Sequence, residues 1–200
     1  MSLDGGVLLL AAGMGSRFGS DKRLHELANG DFLALATAKR YASVFDRIVA
    51  VLRPGETDIA QVLIDGVREA GKCTLTPVYA SDAHLGMGHS LAAGVHAVRG
   101  WAYTFVALAD MPFVKASTLN ALRRAIGEAT IVVPTFQGHP GHPVGFTEQY
   151  FTELGRLHGD SGARRIVEAN RDRVCWIAVD DPGVLHDIDR PKDLQSQEQS

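Results

Sequence analysis

A three-layer α/β sandwich, with helices on both faces of a mostly parallel sheet, is the fold that this sequence predicts. Two observations point there. Five short runs, at residues 7–12, 48–52, 75–79, 103–109 and 131–134, are almost continuously apolar and rich in β-branched or aromatic residues. Strands buried on both faces of a parallel sheet read this way. Between the runs lie segments of helical periodicity, and such alternation predicts βαβ units.

The elements follow in order. Residues 31–44 set Leu33, Ala34, Ala38 and Tyr41 on one stripe, and residues 58–70 do the same with Ile59, Val62, Leu63 and Val67. Residues 90–98 and 115–126 are the next two helices. After Pro134 the rhythm breaks into a Gly/Pro/His loop, two short helices and a strand around residues 174–179. That part is expected to add an antiparallel element and a lid over the sheet's edge. No linker interrupts the chain, so residues 1–194 are expected to form one domain, with residues 195–200 a disordered polar tail.

Composition bounds the function. Two hundred residues suffice for a substantial core, and 46% hydrophobic with 22% charged residues is ordinary for a globular protein. A net charge of −3 argues against a nucleic-acid binder, which needs a large basic surface. The longest apolar run is too short to span a membrane, and the N-terminus has no basic lead or cleavage pattern. Cys73 and Cys175 stand far apart without metal spacing, as reduced, buried thiols of a cytoplasmic protein would.

Ligands of such sheets bind at the carboxyl ends of the strands. The first run leads into LLLAAGMGSRFGSDKRL, residues 8–24. Gly13, Gly15 and Gly19 let the backbone turn its N–H groups toward an anion, while Arg17 and Lys22 bring two cations to the same turn. Two other glycine motifs fail here: Phe18 occupies the third glycine of a dinucleotide fingerprint, and Lys22 lacks both the preceding glycine and the following Ser or Thr of a P-loop. A flexible surface loop with solvated charges is the bland alternative.

The fourth run ends in Asp110-Met111-Pro112. A carboxylate at a strand mouth suits Mg²⁺, although Asp followed by Pro also suits a helix N-cap. Residues 81–91 join the third run to a helix that Ser90 can cap. In residues 138–146, His139 and His142 lack a third zinc ligand at a recognisable spacing, which favours a rigid substrate-lining loop. Residues 158–165 read as a helix start capped by Asp160 or Ser161. Asp187 and Asp189 share one side of an extended segment, either near a metal or with Asp189 capping a last helix.

Taken together, L-A-A-G-x-G-x-R-F-G-x-D-K resembles the signature of the nucleotidyltransferases that build molybdenum cofactor dinucleotides. Ala11-Ala12-Gly13 is closer to the cytidylyltransferase branch than to the guanylyltransferase branch, which has Ala-Gly-Gly. L-A-D-M-P, G-M-G-x-S-L, G-H-P-V-x-F, G-D-x-G-A-R and D-I-D-x-P-x-D-L follow in the family's order. The resemblance implies the nucleotide-diphospho-sugar transferase type of fold, with an antiparallel C-terminal element. It also implies that the loop amides of Ala11, Ala12, Gly13 and Gly15, with Arg17, hold the β and γ phosphates, and that Lys22 stabilises charge as pyrophosphate leaves. By the same resemblance Asp82, Gly88 and Ser90 contact base and ribose, Asp110 with Asp187 or Asp189 holds Mg²⁺, and His142 and Arg164 meet the acceptor.

The expected reaction moves CMP from CTP to the terminal phosphate of a molybdopterin-type acceptor, in the service of a client molybdoenzyme. A different phosphorylated acceptor, or a nucleotide- or pterin-binding maturation factor without turnover, are the alternatives. One departure stands out: the family's Gly-Lys-Pro turn is Asn29-Gly30-Asp31 here, which bears on substrate selection.

Overall fold

A computed structural model describes residues 4–13, 21–188 and 193 of the chain. Gly15, Arg17, Asp189 and the tail at 195–200 lie outside the described residues. In chain order come β1 (Gly5–Leu10), α1 (Leu33–Ala42), β2 (Arg47–Leu52), α2 (Thr57–Ala70), β3 (Thr74–Tyr79), α3 (Met87–Ala97), β4 (Tyr103–Leu108) and α4 (Ala116–Ala125). There follow β5 (Ile131–Phe136), β6 (His139–Pro140), β7 (Val144–Thr147), α5 (Phe151–Leu154), α6 (Arg164–Ala169) and β8 (Val174–Ala178).

All five apolar runs are strands; β1, β2, β4 and β5 are buried on both faces and build the layers, while β3 lies at the sheet's edge with only Leu75 buried. Val7 and Leu9 of β1 pack with Ala38 and Tyr41 of α1, Leu63 of α2 and Leu119 of α4. Leu8 and Leu10 point the other way, into a second core with Leu91 and Val95 of α3 and Ile166 of α6. Alternation along a strand divides the two cores. Helix α3 comes close because Gly94 lacks a side chain: a Cβ there would stand 2.4 Å from a Leu8 methyl and 2.6 Å from a Val51 methyl. The result is an α/β/α sandwich around a mostly parallel sheet.

The sheet runs β3-β2-β1-β4-β7-β5, with β6 and β8 both pairing β5. Strands β3, β2, β1 and β4 are mutually parallel, so Tyr79, Leu52, Leu10 and Leu108 all end on one rim. The antiparallel element expected after Pro134 is present. It is β7, from the stretch read as a loop, and it sits inside the sheet, antiparallel to both β4 and β5. The strand at 174–178 instead pairs β5 in parallel. Strand β7 is a short insertion whose partner β4 is some 40 residues away in sequence, so its identity depends on tertiary pairing rather than on local pattern.

Two caps also differ. Helix α3 starts at Met87, three residues before the expected start, with Gly86 at its N-cap, so Ser90 lies inside the helix. The Gly88 N–H is satisfied by the carbonyl of Gly159 at 2.8 Å, a tertiary partner in place of a capping side chain. Helix α6 has Ala163 at its N-cap and no side-chain cap, so neither Asp160 nor Ser161 serves. Both cysteines are free thiols, Cys73 buried but Cys175 only partly so. Among the described residues no helix is long and apolar enough to cross a membrane.

Candidate active site

The strand ends bring the chemistry together. Strand β1 leaves the sheet at Leu10 with Ala11 N–H still bonded to the Val51 carbonyl at 2.9 Å. Ala11 and Ala12 are buried, and Gly13 is exposed at the rim. The chain returns at Asp21 and makes a short 3-10 turn at Lys22–Leu24. On the neighbouring strand, β4 ends at Leu108 and delivers Asp110 to the same rim.

There the Lys22 ammonium donates to Asp110 Oδ2 at 2.6 Å, with side chains 12% and 17% exposed. Residues 88 positions apart in sequence thus meet across the loop's exit. Asp110 is not a helix cap: α4 starts at Ala116 with Lys115 at the N-cap. That capping work falls to Asp181, 1% exposed, which accepts from Lys115 N (2.8 Å), Thr118 Oγ1 (2.7 Å) and Gly183 N (3.0 Å). The other Asp110 oxygen, Oδ1, is buried without a hydrogen-bond partner. A buried carboxylate oxygen left unmatched is costly unless something cationic meets it. Asp187 is exposed on the adjoining segment, which the Ile188 N–H ties to the Asp110 carbonyl at 3.0 Å. Oxygen donors of this kind suit a small hard cation. Among the described residues no three His, Cys, Asp or Glu side chains form a metal-holding group.

Next to this pair opens a cavity of about 480 Å³, within the range of small-molecule sites. Its floor is apolar, with Leu10, Val106 and Val144, and its rim carries His142, Arg164 and Arg171. The His142 segment is clamped from both sides, Gly141 N–H to the Pro134 carbonyl and His142 N–H to the Val184 carbonyl, each at 2.8 Å. A Cβ on Gly141 would lie 2.3 Å from that Val184 oxygen, so only glycine fits.

Burial lowers the His142 pKa from its ordinary 6.5, against opposing pulls from Asp110, the Val106 backbone and Asp187. Its Nδ1 is buried without a hydrogen-bond partner. The unfolded chain therefore takes up this proton first as pH falls, so the stabilisation present above pH 6.5 is lost below it. Urea titrations of His142→Gln should show a flatter loss of stability as pH falls below 6.5 than the parent. An unchanged slope would mean that the imidazole is equally protonated in both states.

Residues 7–174 match the family described as the MobA-like NTP transferase domain. The chain belongs to that family. It is therefore a nucleotidyltransferase, which takes a nucleoside triphosphate and a small acceptor. Purine catabolism protein PucB of Bacillus subtilis (strain 168) is 27% identical over 189 residues, 93% of this chain and 92% of PucB. Among solved structures, the homologue of Mycobacterium tuberculosis rv0371c from Mycobacterium sp. strain JC1 superposes with a TM-score of 0.79 at 29% identity, covering 96% of this chain and 93% of that one. Rv0371c of M. tuberculosis H37Rv in complex with manganese gives 0.75 at 24% identity, covering 98% and 99%.

The transferase places the remaining candidates unevenly. Arg164 and His142 share the cavity, although Arg164 is largely exposed and its Nε donates to Glu168 Oε1 at 2.8 Å. Asp82 is exposed beyond β3. Ser90 is 5% exposed within α3. A Cβ on Gly88 would stand 2.7 Å from the backbone of His158, so this glycine admits a neighbouring segment of the chain itself. The Asn29-Gly30-Asp31 departure forms a tight turn bordering a separate concavity of about 380 Å³ with Lys39, Arg40 and Pro112. Sequence reasoning missed Asp21, Arg23, Arg53 and Glu56, which cluster behind Lys22. The signal was available: Arg53 and Glu56 follow β2 at the same rim as the other strand-end loops.

Proposed function

We propose that this transferase moves CMP from CTP to the terminal phosphate of a molybdopterin-type acceptor with release of pyrophosphate. The observation that supports it most is the Lys22–Asp110 contact at the mouths of β1 and β4, beside a cavity large enough for a pterin. In this reading the amides of Ala11, Ala12, Gly13 and Gly15, with Arg17, take the triphosphate, and Lys22 neutralises charge that grows on the departing pyrophosphate. Asp82, Gly88 and Ser90 line the base and ribose side. Asp110, joined by Asp187 or Asp189, would hold Mg²⁺, which when bound neutralises phosphate charge. The manganese in the Rv0371c complex is in keeping with a divalent ion in such a fold.

His142 and Arg164 orient the acceptor in the cavity, whose apolar floor suits a flat ring and whose cationic rim suits its phosphate. A phosphate nucleophile is already ionised at neutral pH, so positioning and charge stabilisation suffice, without a strong general base. The whole reaction is assigned to one cytoplasmic domain, residues 1–194, and a molybdoenzyme is the expected client. The name of PucB, a purine catabolism protein, fits service to a catabolic enzyme.

The test is pyrophosphate release with each of the four NTPs and Mg²⁺, with a molybdopterin-type acceptor and with a sugar phosphate. CTP with the pterin acceptor should be fastest. Faster turnover on the sugar phosphate would move the assignment to another acceptor. NTP binding without turnover on any acceptor would make the protein a carrier.

A further inference from the structure

Beside Lys22 stands a closed ring of four charges. Arg23 donates through Nε to Asp21 Oδ1 and through Nη1 to Glu56 Oε2, both at 2.8 Å. Arg53 donates to the same two carboxylates, at 2.7 Å to Asp21 Oδ2 and 2.6 Å to Glu56 Oε1. Two guanidiniums and two carboxylates balance, and Arg23 is only 2% exposed. Arg23 follows Lys22 directly, yet its charge is consumed inside the ring.

The ring also spans the loop. The Arg23 Nη1 donates to the Ala11 carbonyl, at the loop's entrance. Asp21 accepts from the backbone N–H of Arg23 at 3.2 Å, at its exit. Glu56 accepts the Arg53 N–H at 2.8 Å, anchoring the assembly to the end of β2. Entrance and exit are thus pinned to one point of the sheet, and Lys22 sits between two ring members. We infer that the Arg23–Glu56 ring is the positioning device that sets the Lys22 ammonium against Asp110 and the nucleotide's phosphates, and that Arg23 itself is not a phosphate-binding cation. The inference rests on the role given to Lys22 above. Its physical basis is the guanidinium's fixed fork, which reaches two carboxylates and a carbonyl at once; a lysine's point charge does not.

The experiment is a double-mutant cycle on binding of CTP with Mg²⁺, and of inorganic tripolyphosphate, followed by calorimetry together with thermal unfolding. R23K keeps the charge but loses the fork; E56Q keeps the shape but loses a charge. Each should weaken binding about tenfold in the parent and less than about twofold in a K22A background, because contacts acting through one residue are not additive. Undiminished binding by R23K, or equal losses in both backgrounds, would overturn the inference. Should R23K not fold, the E56Q cycle decides alone. If K22A binds both probes as well as the parent, the role of Lys22 fails and the ring's role with it. If K22A loses binding but the cycle is additive, only the ring's role fails.

Discussion

Asp110→Asn is expected to lower transferase turnover by a factor on the order of 10²–10³ while leaving the protein folded. The amide keeps the side chain's volume beside Lys22 but removes the charge that meets the ammonium at 2.6 Å and that a divalent ion would need. Lys22→Ala should cost about as much, since it removes the cation facing the phosphates on the other side of the same contact. The two differ in metal response. Raising Mg²⁺ should partly restore Asp110→Asn but leave Lys22→Ala unchanged. Steady-state pyrophosphate release across a Mg²⁺ series measures both. Full-rate Asp110→Asn turnover at low Mg²⁺ would remove Asp110 from the chemistry.

Much of this arrangement is legible in the sequence. Strands β1, β2, β4 and β5 announced themselves because burial on both faces demands a continuous apolar run, whereas the edge strand β3 buries only Leu75 and was legible from its β-branched and aromatic content. Knowing that the sheet is parallel then gave the rim, and with it the importance of the segments after Leu10 and Leu108. Strand β7 was hidden for the complementary reason: four residues that follow Pro143 and include Gly145 are strand only because β4 and β5 flank them. The α3 start was hidden too, since a carbonyl from Gly159 performs the capping that sequence logic sought in Ser90. The charge ring is the instructive omission. Asp21 and Arg23 lie some 30 residues from Arg53 and Glu56, and no periodicity links the pairs. Only the parallel pairing of β1 with β2 brings their exits together.

That ring should dominate the stability of the site. Arg23→Met is expected to cost about 3 kcal/mol in urea unfolding, the low end for breaking a buried ion pair, because Arg53 still faces both carboxylates. The corresponding Arg53→Met should cost about 1 kcal/mol or less, because its side chain is 29% exposed and water screens what it loses. Burial, rather than the number of bonds, thus sets the order of the two effects. Adding Glu56→Leu to Arg23→Met should return part of the stability, since an apolar pair leaves less charge uncompensated than a lone carboxylate does. It should return none of the nucleotide affinity, because an apolar pair cannot hold the loop's entrance at Ala11. Recovered stability with unrecovered binding would separate the ring's share in folding from its share in placing Lys22; recovery of both would show that any well-packed filling serves the loop equally well.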